Sequence, residues 1–147
     1  HTSYIYPLSV ILFLKMSEVE ELPSKQVQDF LKNHPDSVLV DVRTQEEWDT
    51  IGKPDGDSIS MTTYFISYQK GPDRILNENF EQDFLNLNIE KNKKILFLCR
   101  SGIRSLKAAM IIEKCGYKTL NISDGFEGSM VINEPGWKAN KLPCKEK

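Results

Sequence analysis

The sequence is poor in the residues that build metal sites and disulfide frameworks. Its 147 residues include two histidines and three cysteines, at positions 99, 115 and 144, and no C-x-x-C pair. A structural zinc needs four such ligands at short spacings, and an odd number of cysteines cannot all pair within one chain. We therefore expect no metal or cofactor, and reduced thiols in a cytoplasmic protein.

No block of one charge occurs along the chain. The 19 lysines and arginines are interspersed with 21 aspartates and glutamates, and the formal net charge is −2. A nucleic-acid-binding surface needs a concentration of basic residues that can neutralise phosphates. The sequence therefore gives no indication of a nucleic-acid partner.

Long hydrophobic runs are also absent. The longest, Tyr4 to Leu14, is about half the length of a membrane-spanning helix. No positive charge precedes it and no small-residue cleavage site follows it, which argues against an export signal. We interpret residues 1–16 as an extension, non-native or disordered, with a natural start at or near Met16. The alternative is a degenerate signal on an exported protein.

Residues 17–147 have the composition of a single globular domain, with 39% hydrophobic and 27% charged residues in the chain as a whole. Apolar runs long enough for buried strands alternate with segments of helical periodicity. The predicted strands are Val38–Val42, Ile95–Leu98 and Thr119–Ile122, and the predicted helices are Ser24–Asn33, a short one capped by Thr44, Asn79–Leu87 and a long one ending before Gly116. This order predicts an α/β fold, with an open, mainly parallel sheet of about five strands flanked by helices on both faces.

Cys99 directly follows a predicted buried strand, and a helix begins four or five residues later. The first N–H groups of a helix have no partner within it and can face an anion placed there. With the guanidinium groups of Arg100 and Arg104, they are expected to hold Cys99 as a thiolate near neutral pH. Gly102 can adopt the positive φ that turns N–H groups inward, and Ser101 can add a hydroxyl donor.

The spacing of this loop separates two chemistries. Arg104 lies five positions after Cys99, in the pattern C-x4-R, whereas protein-tyrosine and dual-specificity phosphatases use C-x5-R. The run from Cys99 to Ser105, Cys-Arg-Ser-Gly-Ile-Arg-Ser, resembles the six-residue active-site loop of the rhodanese family of sulfurtransferases. The shorter loop suits a single extra sulfur rather than a tetrahedral phosphate.

The resemblance covers roughly residues 20 to 144. Leu39 to Trp48 resembles the Asp-x-Arg and acidic-aromatic segment of rhodanese domains, and Asp124 to Gly128, followed by Gly136-Trp137-Lys138, resembles their C-terminal end. Where many members read Gly-His-Ile-Pro-Gly-Ala, this chain has Gly52 to Asp57 as Gly-Lys-Pro-Asp-Gly-Asp. The resemblance therefore assigns no substrate contact between there and Phe80.

The resemblance implies sulfur transfer in two half-reactions. Cys99 takes the outer sulfur of a small anionic donor such as thiosulfate as a persulfide, and a thiol, cyanide or protein acceptor removes it. The chain is expected to act as a monomer or weak dimer. Substrate and persulfide binding is expected of the loop residues Arg100, Ser101, Gly102, Ile103 and Arg104.

Asp41 and Arg43 follow the first predicted strand and are candidates for supporting the loop from behind. Asp41 either steadies the loop or caps the turn that follows its strand, and Arg43 is expected to pair with Glu46 or Glu47. Cys115 is expected to be a core residue.

Three other functions remain compatible with these residues. One is a persulfide carrier that receives sulfur from one protein and passes it to another. A second is a phosphatase or arsenate reductase, which the spacing of Cys99 and Arg104 disfavours. A third is a non-catalytic binding module, disfavoured by the presence of the cysteine and both arginines of the loop.

Overall fold

A computed structural model describes residues 17–146, so the predicted extension 1–16 lies outside the described residues. The strands are β1 (Glu20–Leu22), β2 (Val38–Asp41), β3 (Lys53–Pro54), β4 (Thr63–Phe65), β5 (Gln69–Lys70), β6 (Ile75–Leu76), β7 (Lys94–Leu98), β8 (Lys118–Ile122) and β9 (Cys144–Lys145). The α-helices are α1 (Val27–Asn33), α2 (Gln45–Ile51), α3 (Phe80–Leu85) and α4 (Ile103–Glu113), with short 3-10 turns at Ser24–Gln26 and Gly56–Ile59. Within the described part of the chain, no helix is long and apolar enough to cross a membrane.

The main sheet has five parallel strands in the order β1-β8-β7-β2-β4. This confirms the predicted parallel α/β sheet. In the pairing of β2 with β7, Asp41 lies opposite Leu98, so both strands end at the same edge of the sheet. The segments that follow them, which include Arg43 and Cys99, therefore begin side by side. Two small antiparallel pairs, β3 with β9 and β5 with β6, lie outside this sheet.

The side chains of the central strands divide between two hydrophobic clusters because successive residues of a strand point to opposite faces. Ile95 and Phe97 belong to the cluster that contains residues of α3 and α4, whereas Leu96 and Leu98 belong to the cluster that contains Val27 of α1. All four strand residues are fully buried. Helices cover both faces of the sheet, as the doubly apolar strands predict.

Two helix starts were predicted from their first residues, with different outcomes. Thr44 begins α2 through a capping box, in which its side chain accepts from the Glu47 N–H and the Glu47 side chain reaches back to the Thr44 N–H, as expected. The helix predicted to begin at Ser24 begins as a 3-10 turn, Ser24–Gln26, and becomes α-helical only at Val27, so the predicted start was wrong. The Ser24 hydroxyl caps no helix: it donates to the buried carboxylate of Asp124 at 2.6 Å and accepts from Asn140 Nδ2 at 2.8 Å.

Asp124 connects three distant parts of the chain. Besides the Ser24 hydroxyl, its carboxylate accepts from the Ser24 N–H at 2.8 Å and the Gly136 N–H at 2.9 Å. The turn that follows β8 is thereby fixed to the start of the domain and to its C-terminal segment.

Candidate active site

Cys99 lies in a four-residue connection between β7, which ends at Leu98, and α4, which begins at Ile103. Gly102 adopts φ +101°, as predicted for the loop glycine, and its N–H donates to Cys99 Sγ at 3.1 Å. A Cβ on Gly102 would lie 2.2 Å from the Ser123 carbonyl oxygen. Both the backbone conformation and the close approach of β8 therefore require glycine here.

The loop is fixed from behind by the turn after β8. The Phe126 N–H donates to the Cys99 carbonyl at 2.8 Å, and the Glu127 N–H donates to the Arg100 carbonyl at 2.9 Å. Cys99 itself is 1% exposed. The residue is therefore almost completely enclosed by its surroundings.

The second polar group at the sulfur is the hydroxyl of Ser105, whose Oγ lies 3.1 Å from Sγ. The loop hydroxyl predicted to donate to the sulfur is that of Ser101, but the hydroxyl found there belongs to Ser105, which is buried in the first turn of α4. Ser101 instead lines a groove beside the loop. In the described residues, the loop amide that donates to Sγ is that of Gly102.

Asn121 organises this cluster, and the sequence analysis did not identify it. Its Nδ2 donates to the Gly102 carbonyl and to the Glu21 carboxylate, both at 2.9 Å, so its Oδ1 is the acceptor, 2.5 Å from Ser105 Oγ. The single Ser105 proton thus has two acceptors, Asn121 Oδ1 and the Cys99 sulfur. When Cys99 is a thiol, it can donate a hydrogen bond to Ser105 Oγ while the Ser105 hydroxyl donates to Asn121. When Cys99 is a thiolate, its sulfur can accept a hydrogen bond from the Ser105 hydroxyl. The sequence gives no distinct signal for Asn121, because β8 reads Lys-Thr-Leu-Asn-Ile and polar residues stand at three of its five positions.

Arg104 does not stand free beside the sulfur, because its guanidinium forms a bidentate pair with Glu47, at 2.7 and 2.9 Å. Burial would raise the pKa of Glu47, but the hydrogen bond and charge of Arg104 outweigh it and lower the pKa to about 2. Burial would likewise lower the pKa of Arg104, but the Glu47 contacts outweigh it and raise the pKa, and the charge of Cys99 acts in the same direction. Glu47 therefore holds the Arg104 guanidinium in place and keeps it charged.

Arg43 pairs with Asp41, so the expected pairing with Glu46 or Glu47 was wrong. Both side chains are fully buried, with Arg43 Nη2 2.8 Å from Asp41 Oδ2 and 2.9 Å from the Gly52 carbonyl. Glu47 is unavailable because Arg104 holds it. Asp41 Oδ1 also accepts from the Arg43 N–H at 2.9 Å, which is the turn-capping role considered for it. The guanidinium of Arg43 lies over the Phe126 ring, 4.3 Å from its centroid. Because the Phe126 N–H donates to the Cys99 carbonyl, Arg43 supports the loop through Phe126.

Two further arginines line a recess of about 360 Å³ on one side of the loop. Arg100 is largely exposed, and its Nε lies 3.3 Å from a Glu127 carboxylate oxygen. Arg74, beside the β5–β6 pair, lies 3.5 Å from Glu47. Arg74 belongs to the stretch before Phe80 to which the resemblance assigned no contact. No sequence signal pointed to it, because it lies in the turn between the two-residue strands β5 and β6, and only the fold places that pair beside the loop.

On the other side of the loop lies an open groove of about 990 Å³. Loop residues 100–103 form one wall, and residues 127–135 together with Glu21, Asn121 and Ser123 form the rest. Ile103, predicted to belong to the substrate loop, is 61% exposed at this wall.

The other two cysteines lie apart from the cluster of groups around Sγ. Cys115 is half-buried and packs against the hydrophobic core, as expected, and Cys144 is exposed in β9. Partial desolvation of the sulfur raises the pKa of both thiols, which makes them poor nucleophiles at neutral pH. Residues 17–146 contain no group of three histidine, cysteine, aspartate or glutamate side chains placed to hold a metal ion.

Comparisons with known proteins match most of the chain. The family model described as a rhodanese-like domain matches residues 24–130, which include the Cys99 loop. The uncharacterized protein RP600 of Rickettsia prowazekii (strain Madrid E) is 45% identical over 127 residues, covering 85% of this chain and 96% of that protein. YtwF of Bacillus subtilis (strain 168), provisionally named a sulfurtransferase, is 25% identical over 108 residues, covering 74% and 87%. The crystal structure of Rv0390 from M. tuberculosis has a TM-score of 0.73 and 32% identity, covering 89% of this chain and 100% of that one.

Proposed function

The chain belongs to the rhodanese-like domain family, and we propose that it transfers a sulfane sulfur through a persulfide on Cys99, with thiosulfate as the donor. The resemblance found in the sequence is thereby confirmed at the level of the family. The family, together with a relative named for sulfurtransferase activity, supports sulfur transfer in general. The observation that carries the finer proposal is Cys99 Sγ held by the Gly102 N–H and next to the Ser105 hydroxyl, at the start of α4.

In the first half-reaction, Cys99 loses its thiol proton to solvent and the thiolate attacks the outer sulfur of thiosulfate. A bond forms between Sγ and that sulfur, the S–S bond of thiosulfate breaks, and its electron pair leaves with sulfite. The Gly102 N–H and the Ser105 hydroxyl are placed to donate to the anionic sulfur. Arg100, weakly paired at the surface, meets the incoming anion.

In the second half-reaction, the acceptor attacks the outer sulfur of the persulfide and the thiolate of Cys99 leaves. Cyanide becomes thiocyanate, and a thiolate becomes a persulfide. No metal ion, cofactor or proton relay takes part in this scheme. We further propose a monomer or weak dimer in the cytoplasm, a reducing location that agrees with three free cysteines.

Intact-protein mass spectrometry after mixing with thiosulfate tests this function. We expect a gain of one sulfur atom on the wild type, its loss on adding cyanide, and no gain on Cys99→Ala. Cys115→Ala is the matched control, because it removes a thiol that packs away from the loop, and it should gain sulfur like the wild type. Absence of the gain from the wild type, or its persistence in Cys99→Ala, would refute the mechanism.

A further inference from the structure

The groove beside the Cys99 loop is much larger than the proposed donor requires. Its volume of about 990 Å³ matches sites for ligands of drug size, whereas thiosulfate and cyanide contain only a few heavy atoms. Because loop residues 100–103 form one wall, anything that occupies the groove lies against the loop that carries the nucleophile. The groove therefore has room for a much larger sulfur acceptor or donor than these small anions.

One rim of the groove is an exposed apolar tip, Met130 to Ile132. Met130 is 98% exposed and Val131 is 90% exposed, and Ile103 across the groove is also exposed. Contiguous exposed apolar side chains of this kind mark interaction surfaces. A small ligand confined to the groove would leave the outer side of the tip in water, so covering the tip requires a protein-sized partner.

The charges around the groove select the kind of partner. Three carboxylates line it, from Glu21, Glu127 and Glu134, against one cation, Arg100. Glu134 is paired with Lys25 and Glu127 with Arg100, whereas the Glu21 carboxylate accepts from the neutral amide of Asn121. Among the residues that the structure describes, these two ion pairs leave Glu21 as the one carboxylate of the groove lining without a cationic partner. An apolar surface with this one acidic group complements an apolar segment that also carries lysine or arginine.

A second copy of this chain fits the surface less well. In an isologous dimer the same patch meets itself, so the carboxylates of one copy would approach those of the other. Of the described residues in the groove lining, only Arg100 could offset that approach, and it is already paired with Glu127. The charge pattern therefore favours a different protein.

We infer that this groove and the Met130–Ile132 tip dock a protein that presents an apolar segment flanked by basic residues, and that this protein exchanges sulfur with Cys99. The inference rests on the proposed sulfur transfer for its second part, and its first part, the docking itself, stands on the surface alone. The tip thus selects the partner, and the Cys99 loop carries out the sulfur transfer.

A random peptide display library panned on the immobilised wild-type protein tests the docking. We expect enriched peptides to combine an apolar run with lysine or arginine, and to bind Met130→Ser/Val131→Ser about tenfold more weakly than wild type. The matched control is Ile75→Ser/Leu76→Ser, which removes two other exposed apolar side chains from outside the groove lining and should change binding by less than about twofold. Enrichment of acidic peptides, no enrichment, or equal binding by the tip variant would overturn the inference.

Sulfur exchange is measured separately, with the best-binding peptide carrying one added cysteine and protein preloaded from thiosulfate. The ratio of the transfer rate to this peptide over the rate to cyanide should fall several-fold in the tip variant relative to the Ile75/Leu76 control. If wild type takes up no sulfur but still binds the peptide, the proposed function fails and the docking surface stands. If sulfur loads but the ratio does not change, the role of the tip in sulfur exchange is wrong. A concentration-dependent dimer in sedimentation that the tip substitutions abolish would assign the surface to a second copy and overturn the inference.

Discussion

Glu47 is the side chain on which the charge of the active-site loop most depends. It is nearly buried, holds Arg104 through two hydrogen bonds and also lies within ion-pair distance of Arg74. Without this carboxylate, the Arg104 guanidinium would be left partly buried with no close counterion. Removing one member of such a pair costs more than the pair itself contributes, because the remaining charge is uncompensated.

We expect Glu47→Gln to lower the free energy of unfolding by about 3 kcal/mol near neutral pH. The folded-state pKa of Glu47, about 2, lies below its ordinary value of 4.5, so the carboxylate stabilises the fold above the ordinary value. This stabilisation is lost as the pH falls from 4.5 towards 2. Urea denaturation at a series of pH values should therefore show the difference between wild type and Glu47→Gln shrinking across that window.

Glu46→Gln is the matched control, because Glu46 neighbours Glu47 on α2 but is exposed to solvent. It should leave the pH dependence of the unfolding free energy close to that of the wild type. A constant difference between wild type and Glu47→Gln across the acid range would show that the carboxylate acts through its shape and not its charge.

The positions of the loop side chains were predictable from the sequence, but their partners were not. Cys99, Gly102 and Arg104 are close in sequence, and the strand-to-helix pattern fixes their order and approximate geometry. The partner of Arg104 is 57 residues away, and its neighbour Glu46 has the same chemistry. Only the packing of α2 against the loop decides between them. Because Glu47 pairs with Arg104, the buried partner of Arg43 is Asp41.

The strand, loop and helix that carry Cys99 depend on a backbone shape that only one residue type adopts easily. Gly102 combines a positive φ with a neighbouring carbonyl that leaves no room for a Cβ, whereas Gly71 has a positive φ of 76° and open space around it. The two glycines therefore separate the cost of the conformation from the cost of the collision.

We expect Gly71→Ala to destabilise the protein by about 1 kcal/mol, the cost of a left-handed residue with a side chain. Gly102→Ala should cost about 3 kcal/mol, because the β7–α4 loop must also move away from Ser123. Urea denaturation measures both values. Sulfur uptake from thiosulfate, measured where circular dichroism shows each variant folded, should be lost only in Gly102→Ala. Equal destabilisation by both would mean that the loop adapts to the added methyl group.

The large elements followed from the sequence because their signals are local. A strand such as β7, buried on both faces, has a continuous apolar run in its sequence. The start of α2 is indicated by Thr44 and Glu47, which form its capping box. The pairs β3–β9 and β5–β6 give no such signal, because each strand has two residues and its partner is fixed by the fold. The second pair positions Arg74, so this unpredicted part of the fold carries one of the residues of the site that the sequence did not indicate.

Across the fold, the buried Asp124 carboxylate joins the N-terminal segment, the turn behind the active-site loop and the C-terminal segment. Asp124→Asn replaces one acceptor oxygen by an amide that faces existing donors. We expect a loss of about 2 to 3 kcal/mol and a fall in Tm of roughly 5 to 10 °C. Calorimetry measures it, with the exposed Asp36→Asn as control. A Tm within a degree or so of the wild type would mean that the segments are held together by packing alone.

The backbone bonds from Phe126 and Glu127 to the loop have a consequence for how this protein can diverge. They anchor the reactive cysteine from the rear, while the tip beyond them turns on its own pair of bonds between Ser129 and Glu134. Mutations in the tip can therefore accumulate without changing the position of the Cys99 loop. Substitutions at a few exposed tip residues could therefore replace one protein partner by another while the Cys99 loop stays unchanged.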